Sequence, residues 1–525
     1  MLAKVCTREP REVPGSPSRK LPCGPMPVVV AIDAGTTGVR ALAVGLGGEI
    51  LAVSYRELTQ YFPAPGLVEH DAAEIWALVE TTLTELTAHL RAQWPGEAIA
   101  AIGITNQRET AIAWDRRTGR PLHRAIVWQD RRTARRCEEL EAAGHLTLVR
   151  SATGLVLDSY FSATKWEWML TTGGVETSPD LALGTVDDWI CWNLTGGVNN
   201  GVHATDPSNA SRTLCYDIAQ GRWSEDLCSL FRIPVKALGA VLASSGRFGV
   251  VGGDVAGGAL KNVPLSGIGG DQQAALFGQC CFEPGMTKVT YGTGSFVLMN
   301  LGATCPAPCD GLLTTIAWKI GDSTTYALEG AVFASGATIQ WLRDGLGIIS
   351  QASDTEALAT SIPASDGVYF VPAFAGLGSP WWDPDARATI VGLTRGTGRA
   401  HLARAAVEAM AYQTRDVLDI MSSSSGRPVS LLRADGGAAA MDLLLQLQAD
   451  QSQVRVIRPR TTEVTALGAA MLAGLAEGVW GSSDDLKSLS PAEATFEPVA
   501  SQARVDGDHA SWLRAIERSR GWAST

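Results

Sequence analysis

Two glycine-threonine turns, DAGTTGV at 33–39 and YGTGSFV at 291–297, constrain most what this chain can fold into. Each turn follows a β-rich run, and each stands near the start of its own half of the 525 residues. A supersecondary device used twice implies two related domains, and related domains commonly face each other across a ligand cleft. Around the first turn the order is VVVAIDAGTTGVRALAVG, EILAVSYREL, a helical stretch from Ala72 to Gln93, and AIAAIGITNQ. Strand pairs followed by a helix predict a mixed α/β domain. A second cycle opens near Leu265 with LSGIGGDQQAALFGQ and runs on through TKVTYGTGSFVLMNL. The expected division is a first domain over 27–264, a second over 265–500 and a tail over 501–525. Glycines in GGDVAGGALKN, near 255–265, are expected to serve as a free hinge. Residues 1–26, rich in Pro, Ser and Arg and without apolar periodicity, read as a disordered extension, with Met26 as the true start.

Composition narrows the function. Hydrophobic residues make up 46% of the chain and charged residues 18%, enough to build a large core. The net charge of -11 argues against nucleic acid or an anionic membrane surface as partner. Apolar runs fall short of the ~20 residues needed to span a bilayer, so an acidic cytoplasmic protein is expected. The ten cysteines include no C-x-x-C, and Cys305 and Cys309 in CPAPC read as loop thiols.

No G-x-x-x-x-G-K-[ST], H-R-D or D-F-G signature is present, so phosphate binding must be built from other parts. In the first turn, Gly35 and Gly38 permit positive φ and close approach, while Thr36 and Thr37 offer amides and hydroxyls to a terminal phosphate. Asp33 at the strand end can hold water-coordinated Mg²⁺ beside the phosphates. The second turn offers Gly292, Thr293 and Gly294, with Phe296 two residues on. Asp271, after two glycines and before a helical AALFG, is placed either to cap that helix or to act as a general base. Arg108 and Glu109 follow the buried strand AIAAIGIT, where α/β proteins place ligand contacts, and suit vicinal hydroxyls better than a plain surface pair. Trp128 and Tyr160, taken singly, read as core.

These motifs together resemble the FGGY family of carbohydrate kinases, within the actin, hexokinase and heat-shock ATPase superfamily. The likeness runs over residues 28–500 and is nearest to the members that phosphorylate glycerol. GITNQRETAIAWD, TGLVLDSYFSATKW, TDPSNASRT, YALEGAVFASGATIQWLRD and VPAFAGLGSPWWDPDARATIVGLTRGT all appear in the family's order. The resemblance implies two ribonuclease-H-like domains closing on ATP and Mg²⁺, and a homo-oligomer, dimer or tetramer. It implies that Arg108, Glu109, Tyr160, Asp271 and Gln272 hydrogen-bond glycerol, with Asp271 as base, and that Trp128 and Phe296 flank its carbons. Thr36, Thr37, Gly38, Arg40, Thr293 and Gly336 would meet the phosphates. Gln340, Gly437 and Met441 would lie beside the nucleoside, and Asp33 and Asp271 beside the metal.

The chain departs from the pattern twice. The family's glycerol-specific first turn, DQGTTSSR, here carries Ala34, Gly38 and Val39, and the usual GGAVANN becomes Gly436 to Asp442 with Met441 in place of the first Asn. The expected activity is ATP-dependent formation of sn-glycerol 3-phosphate. A kinase of the same family acting on a longer polyol or ketose is the nearest alternative, and a nucleotide-driven conformational switch is the alternative from another class. Trp128 beside the Arg-Glu pair favours a small triol.

Overall fold

The computed structural model describes residues 26–523. The extension read at 1–26 therefore lies, apart from Met26, outside the described residues. The first turn closes an antiparallel hairpin between Pro27–Ala34 and Gly38–Val44, in which Asp33 stands opposite Arg40. Ile50–Glu57 pairs antiparallel with the second hairpin strand. On the other side of the first, Ala98–Asn106 runs parallel, and Pro264–Gly270 runs parallel to that in turn. The second turn closes the hairpin Met286–Tyr291 to Ser295–Gly302. Ser323–Val332 adds antiparallel to it, and Leu431–Asp435 and then Val456–Pro459 add in parallel on the far side. Both halves thus use one strand order: three antiparallel strands followed by two parallel ones. The expectation of two related α/β domains of the ribonuclease-H-like, actin-like ATPase kind is met.

The halves join through Ser245–Val250 and Leu313–Ile320 into a single sheet of 13 strands. Pro264–Gly270 pairs with Ala98–Asn106, so the chain past residue 264 still belongs to the first half's sheet. The segment expected as a free hinge is also not free. Val255, Ala256 and Leu260 are buried in the first core, against the helix Ala72–Gln93. That helix has the span expected for it, and Asp71 caps it by accepting from the Ala73 and Glu74 amides.

The helices Asp271–Gly278 and Val464–Ala476 cross between the halves with their backbones in contact. A Cβ on Gly468 would lie 1.9 Å from the Ala274 carbonyl oxygen, so no side chain fits at the crossing. The crossing fixes the helix that begins at Asp271 against strands of both halves.

Candidate active site

The strand Ala98–Asn106 delivers Gln107, Arg108, Glu109 and Thr110 into the space between the halves, all four buried. This excludes the plain surface pair. Glu109 has φ of +62°, a left-handed conformation that a non-glycine residue keeps only where its surroundings enforce it. The Ser162 hydroxyl and the Lys165 ammonium both donate to the Glu109 carbonyl, at 3.1 and 3.2 Å. Lys165 also donates to the Tyr160 carbonyl, and its burial holds the ammonium down to about 7.

A lattice of charge surrounds Glu109. Arg212 Nε donates to Glu109 Oε1 at 2.7 Å, and Arg212 Nη2 donates to Glu329 Oε1 at 2.8 Å. Arg108 Nη1 donates to Glu329 Oε2 at 2.5 Å and to Gln273 Oε1 at 3.2 Å. Arg108 Nη2 reaches the Tyr160 hydroxyl at 3.5 Å. Burial pushes the Glu329 carboxyl up, but Arg108 and Arg212 outweigh it and hold that group down to about 2. Burial likewise raises Glu109 above the usual carboxylate range, opposed by the same two guanidinium groups. Two groups keep hydrogen-bonding capacity unspent among the described residues. Glu109 Oε2 receives no protein donor. Arg108 Nε, though 3.0 Å from Asp271 Oδ1, makes no aligned hydrogen bond.

Asp271 is the first residue of its helix, as expected. Its Oδ1 accepts from the Gln272 amide at 2.7 Å, and a third of its side chain is open to the cleft. The approach to Asp271 is braced by the TDPSNASRT segment. Gly270 donates its amide to the Ser208 hydroxyl at 2.9 Å, and Ser208 donates to Asp206 at 2.8 Å. A Cβ on Gly270 would meet the Arg108 side chain at 2.7 Å, so glycine is needed for that close approach. Gln272 Oε1 accepts from Lys288, whose burial lowers its ammonium to about 8.

Trp128 closes one side. Its ring packs edge-on to Tyr160 at 5.6 Å between centroids, and its indole N–H donates to Thr36. Both aromatics are only half-buried, unlike the core reading made of each alone. Phe296, also half-buried, packs against the core between the halves.

At the first hairpin Thr37 is exposed and Thr36 partly so, whereas Gly38 is buried. Neither Gly35 nor Gly38 takes positive φ. A Cβ on Gly38 would sit 2.5 Å from the Tyr55 ring and 2.6 Å from the Arg56 carbonyl oxygen, so close packing is what requires glycine there. Arg40 pairs with Glu463 across the halves and lies over the Tyr55 ring. Burial pushes the Asp33 carboxyl up to about 7; Arg40 lowers it, and Asp271 and Glu463 raise it. At the second hairpin Thr293 is exposed, and Gly336 donates its amide to the Gly292 carbonyl at 2.9 Å. Gln340 is exposed on the helix Gly336–Asp344. Open space lies around the Cα of Gly437, and half-buried Met441 caps the helix Asp442–Ser452. Arg458 steadies this corner by donating to the Ala439 and Ala440 carbonyls and to Asp442.

The structure thus gathers Arg108, Glu109, Tyr160, Trp128, Asp271 and Gln272 between the halves. It adds Arg212, Glu329, Lys165 and Lys288, which sequence reasoning did not single out.

Comparison with known proteins places the chain in a family. Residues 28–278 match the FGGY family of carbohydrate kinases, N-terminal domain, and residues 287–477 match its C-terminal domain. The chain belongs to the FGGY family of carbohydrate kinases. It is 52% identical over 501 residues to a glycerol kinase of Dechloromonas aromatica (strain RCB), covering 94% of this chain and 98% of that one. It is 51% identical to a glycerol kinase of Trichlorobacter lovleyi, covering 95% and 100%. In three dimensions it is similar to the crystal structure of Plasmodium falciparum glycerol kinase with ADP. The TM-score is 0.90 at 34% identity, covering 95% of this chain and 99% of that one.

Proposed function

We propose that this chain is a cytoplasmic kinase that transfers the γ-phosphoryl group of ATP to a terminal hydroxyl of glycerol, giving sn-glycerol 3-phosphate and ADP. One observation carries the reading: Glu109 Oε2 receives no protein donor among the described residues, and Arg108 Nε, ion-paired with Asp271 Oδ1 at 3.0 Å, makes no aligned hydrogen bond. Adjacent hydroxyls of a small polyol satisfy such a pair, because each hydroxyl both donates and accepts. Arg108 Nε is buried without an aligned acceptor, which is unfavourable, so an alcohol supplying partners to both groups is favoured over one that lacks a hydroxyl. Trp128 and Tyr160, edge to face, wall the site and limit its length to a short carbon chain.

In this reading Asp271 accepts the proton of the terminal hydroxyl as that oxygen attacks phosphorus. Oδ1 is already occupied by the Gln272 amide and faced by Arg108, which leaves Oδ2 for the proton. Thr36 and Thr37 at one hairpin tip and Thr293 at the other meet the phosphates from opposite halves. Gly437, Met441 and Gln340 meet the nucleoside.

Asp33 and Asp271 fit Mg²⁺: both are oxygen donors, and the Asp271 charge raises the Asp33 carboxyl. Such an ion is commonly held by one or two carboxylates together with phosphate and water oxygens. Bound there, the ion would supply charge neutralisation at the phosphates. Burial pushes the Asp33 carboxyl up to about 7, and a neighbouring cation would favour its ionised form. No helix among the described residues is long and apolar enough to cross a membrane.

The test is ADP release measured over a panel of polyols and ketoses. Glycerol should give the highest kcat/KM and raise ATP turnover sharply. Preference for a longer sugar would move the substrate within the family, and turnover indifferent to any alcohol would leave only the nucleotide switch.

A further inference from the structure

We propose that Arg212 is a positioning residue for polyol recognition: it turns Glu109 so that one oxygen stays free for a hydroxyl, and it shares with Arg108 the Glu329 carboxylate of the opposite half. The proposal rests on the polyol reading given above. Arg212 is completely buried and follows the short helix Pro207–Ala210. Its backbone neighbourhood is fixed to the second half, since Ser211 Oγ lies 2.9 Å from Thr315 Oγ1 and accepts from the Ile316 amide at 3.3 Å. The guanidinium carbon lies 5.2 Å from the Phe161 ring and 5.7 Å from the Tyr160 ring. From that fixed perch Nε reaches Glu109 Oε1 and Nη2 reaches Glu329 Oε1. Arg212 Nη1 is buried without a hydrogen-bond partner among the described residues.

The consequence is geometric. A planar fork sets the angle between its two acceptors, so Glu109 and Glu329 cannot rotate independently. Oε1 of Glu109 is consumed by Arg212, and this is what directs recognition to Oε2. Arg108 is held through both oxygens of the same Glu329, with its Nε left toward Asp271. The substrate's acceptor and donor are therefore aligned by one carboxylate that comes from the other domain.

Charge follows the same geometry. The groups facing Glu109 are Arg108, Arg212, Glu329, Tyr160 and Lys165. Burial and Glu329 favour the protonated acid, and the two arginines oppose them. Without Arg212, Glu109 would take its proton at higher pH, and a protonated carboxyl is a poorer acceptor for a hydroxyl.

The test uses the full chain with Arg212→Met, Arg212→Lys and Glu329→Gln. Arg212→Met should raise the KM for the polyol by roughly tenfold to a hundredfold, the span of a charge-assisted hydrogen bond, with kcat and the KM for ATP changed much less. The acid limb of kcat/KM for the polyol should move to higher pH in Arg212→Met and return toward its original place in Arg212→Lys. Glu329→Gln should raise the polyol KM as well. Melting temperature and ADP binding report folding, and should Arg212→Met fail to fold, Arg212→Lys and Glu329→Gln decide by the same KM split. An unmoved polyol KM, or parallel loss of kcat and both KM values with the acid limb in place, overturns the positioning role. A wild type inactive on every polyol would overturn the functional reading itself, whereas an active wild type with indifferent variants overturns this inference alone.

Discussion

The indole N–H of Trp128 donates to the hydroxyl of Thr36 at 3.0 Å, which ties the Trp128–Tyr160 pair to the tip of the first hairpin. The residue proposed as a steric wall is thus also a link to the hairpin proposed to meet the phosphates. Trp128→Phe keeps an aromatic surface and removes only the donor. Loss of one neutral hydrogen bond is worth about 0.5–1.5 kcal/mol, a factor of roughly 2–13. The KM values for both glycerol and ATP should therefore rise within that range. A change in the glycerol KM alone would show that the wall acts by shape without the hairpin.

Asp271→Asn should lower kcat by about a hundredfold or more, while the glycerol KM moves less. The amide preserves the shape at the helix start and can still accept from the Gln272 N–H, but it cannot take the proton. Turnover near the wild-type value would remove Asp271 from the role of base.

Lys165 predicts a stability profile. Burial holds its ammonium down to about 7 in the folded chain, whereas an unfolded lysine keeps its proton to about 10.4. Between those values the unfolded state binds the extra proton, so stability rises with pH, by at most about 1.4 kcal/mol per pH unit. Below about 7 both states are protonated and the contribution is flat. Lys165→Met should melt at lower temperature, since the Glu109 and Tyr160 carbonyls lose a donor, and its melting temperature should climb less between pH 7 and 9. Equal slopes would mean that Lys165 stays charged when folded.

The parts of the site legible in the sequence are those whose chemistry is local. The two turns announce themselves by glycine and threonine between β-rich runs, and Asp271 by its place before a helix. Arg108 and Glu109 stand out as a charged pair at the end of an apolar strand. Arg212, Glu329, Lys165 and Lys288 carry no such mark. Arg212 lies 103 residues from Glu109 and 117 from Glu329, so their pairing exists only once both halves are assembled. A signal was present in the third dimension alone: a fully buried arginine must find carboxylates, and Arg212 pairs with Glu109 and Glu329. The glycines misled in a similar way. Gly38 is required by the Tyr55 ring packed over it, a neighbour brought by the next strand. The glycine-rich 255–265 stretch, which sequence marks as a hinge, is pinned by Val255, Ala256 and Leu260 to the first core.

Met441, proposed to lie beside the nucleotide, is where the chain leaves the family pattern. The structure places it at the start of the helix Asp442–Ser452, half-buried and packed against the core of the second half. It follows the short turn Gly437–Ala440, whose carbonyls are held by Arg458. An Asn at this point would present an amide to the polar edge of a base, and Met presents only a polarizable thioether. The surrounding backbone is unchanged by that exchange, because the turn is fixed by Gly436 and Arg458 and not by the 441 side chain. Gly436 could not carry a Cβ, which would sit 2.5 Å from the Tyr291 carbonyl oxygen, so the turn stays close against the second hairpin. ATP should remain a good substrate, with weaker discrimination against GTP. Met441→Asn should then raise the ratio of kcat/KM for ATP to that for GTP by roughly 2–13-fold, one neutral hydrogen bond's worth. A ratio that does not rise assigns Met441 to packing of the helix start, and base selection to the exposed Gln340 and the backbone around Gly437.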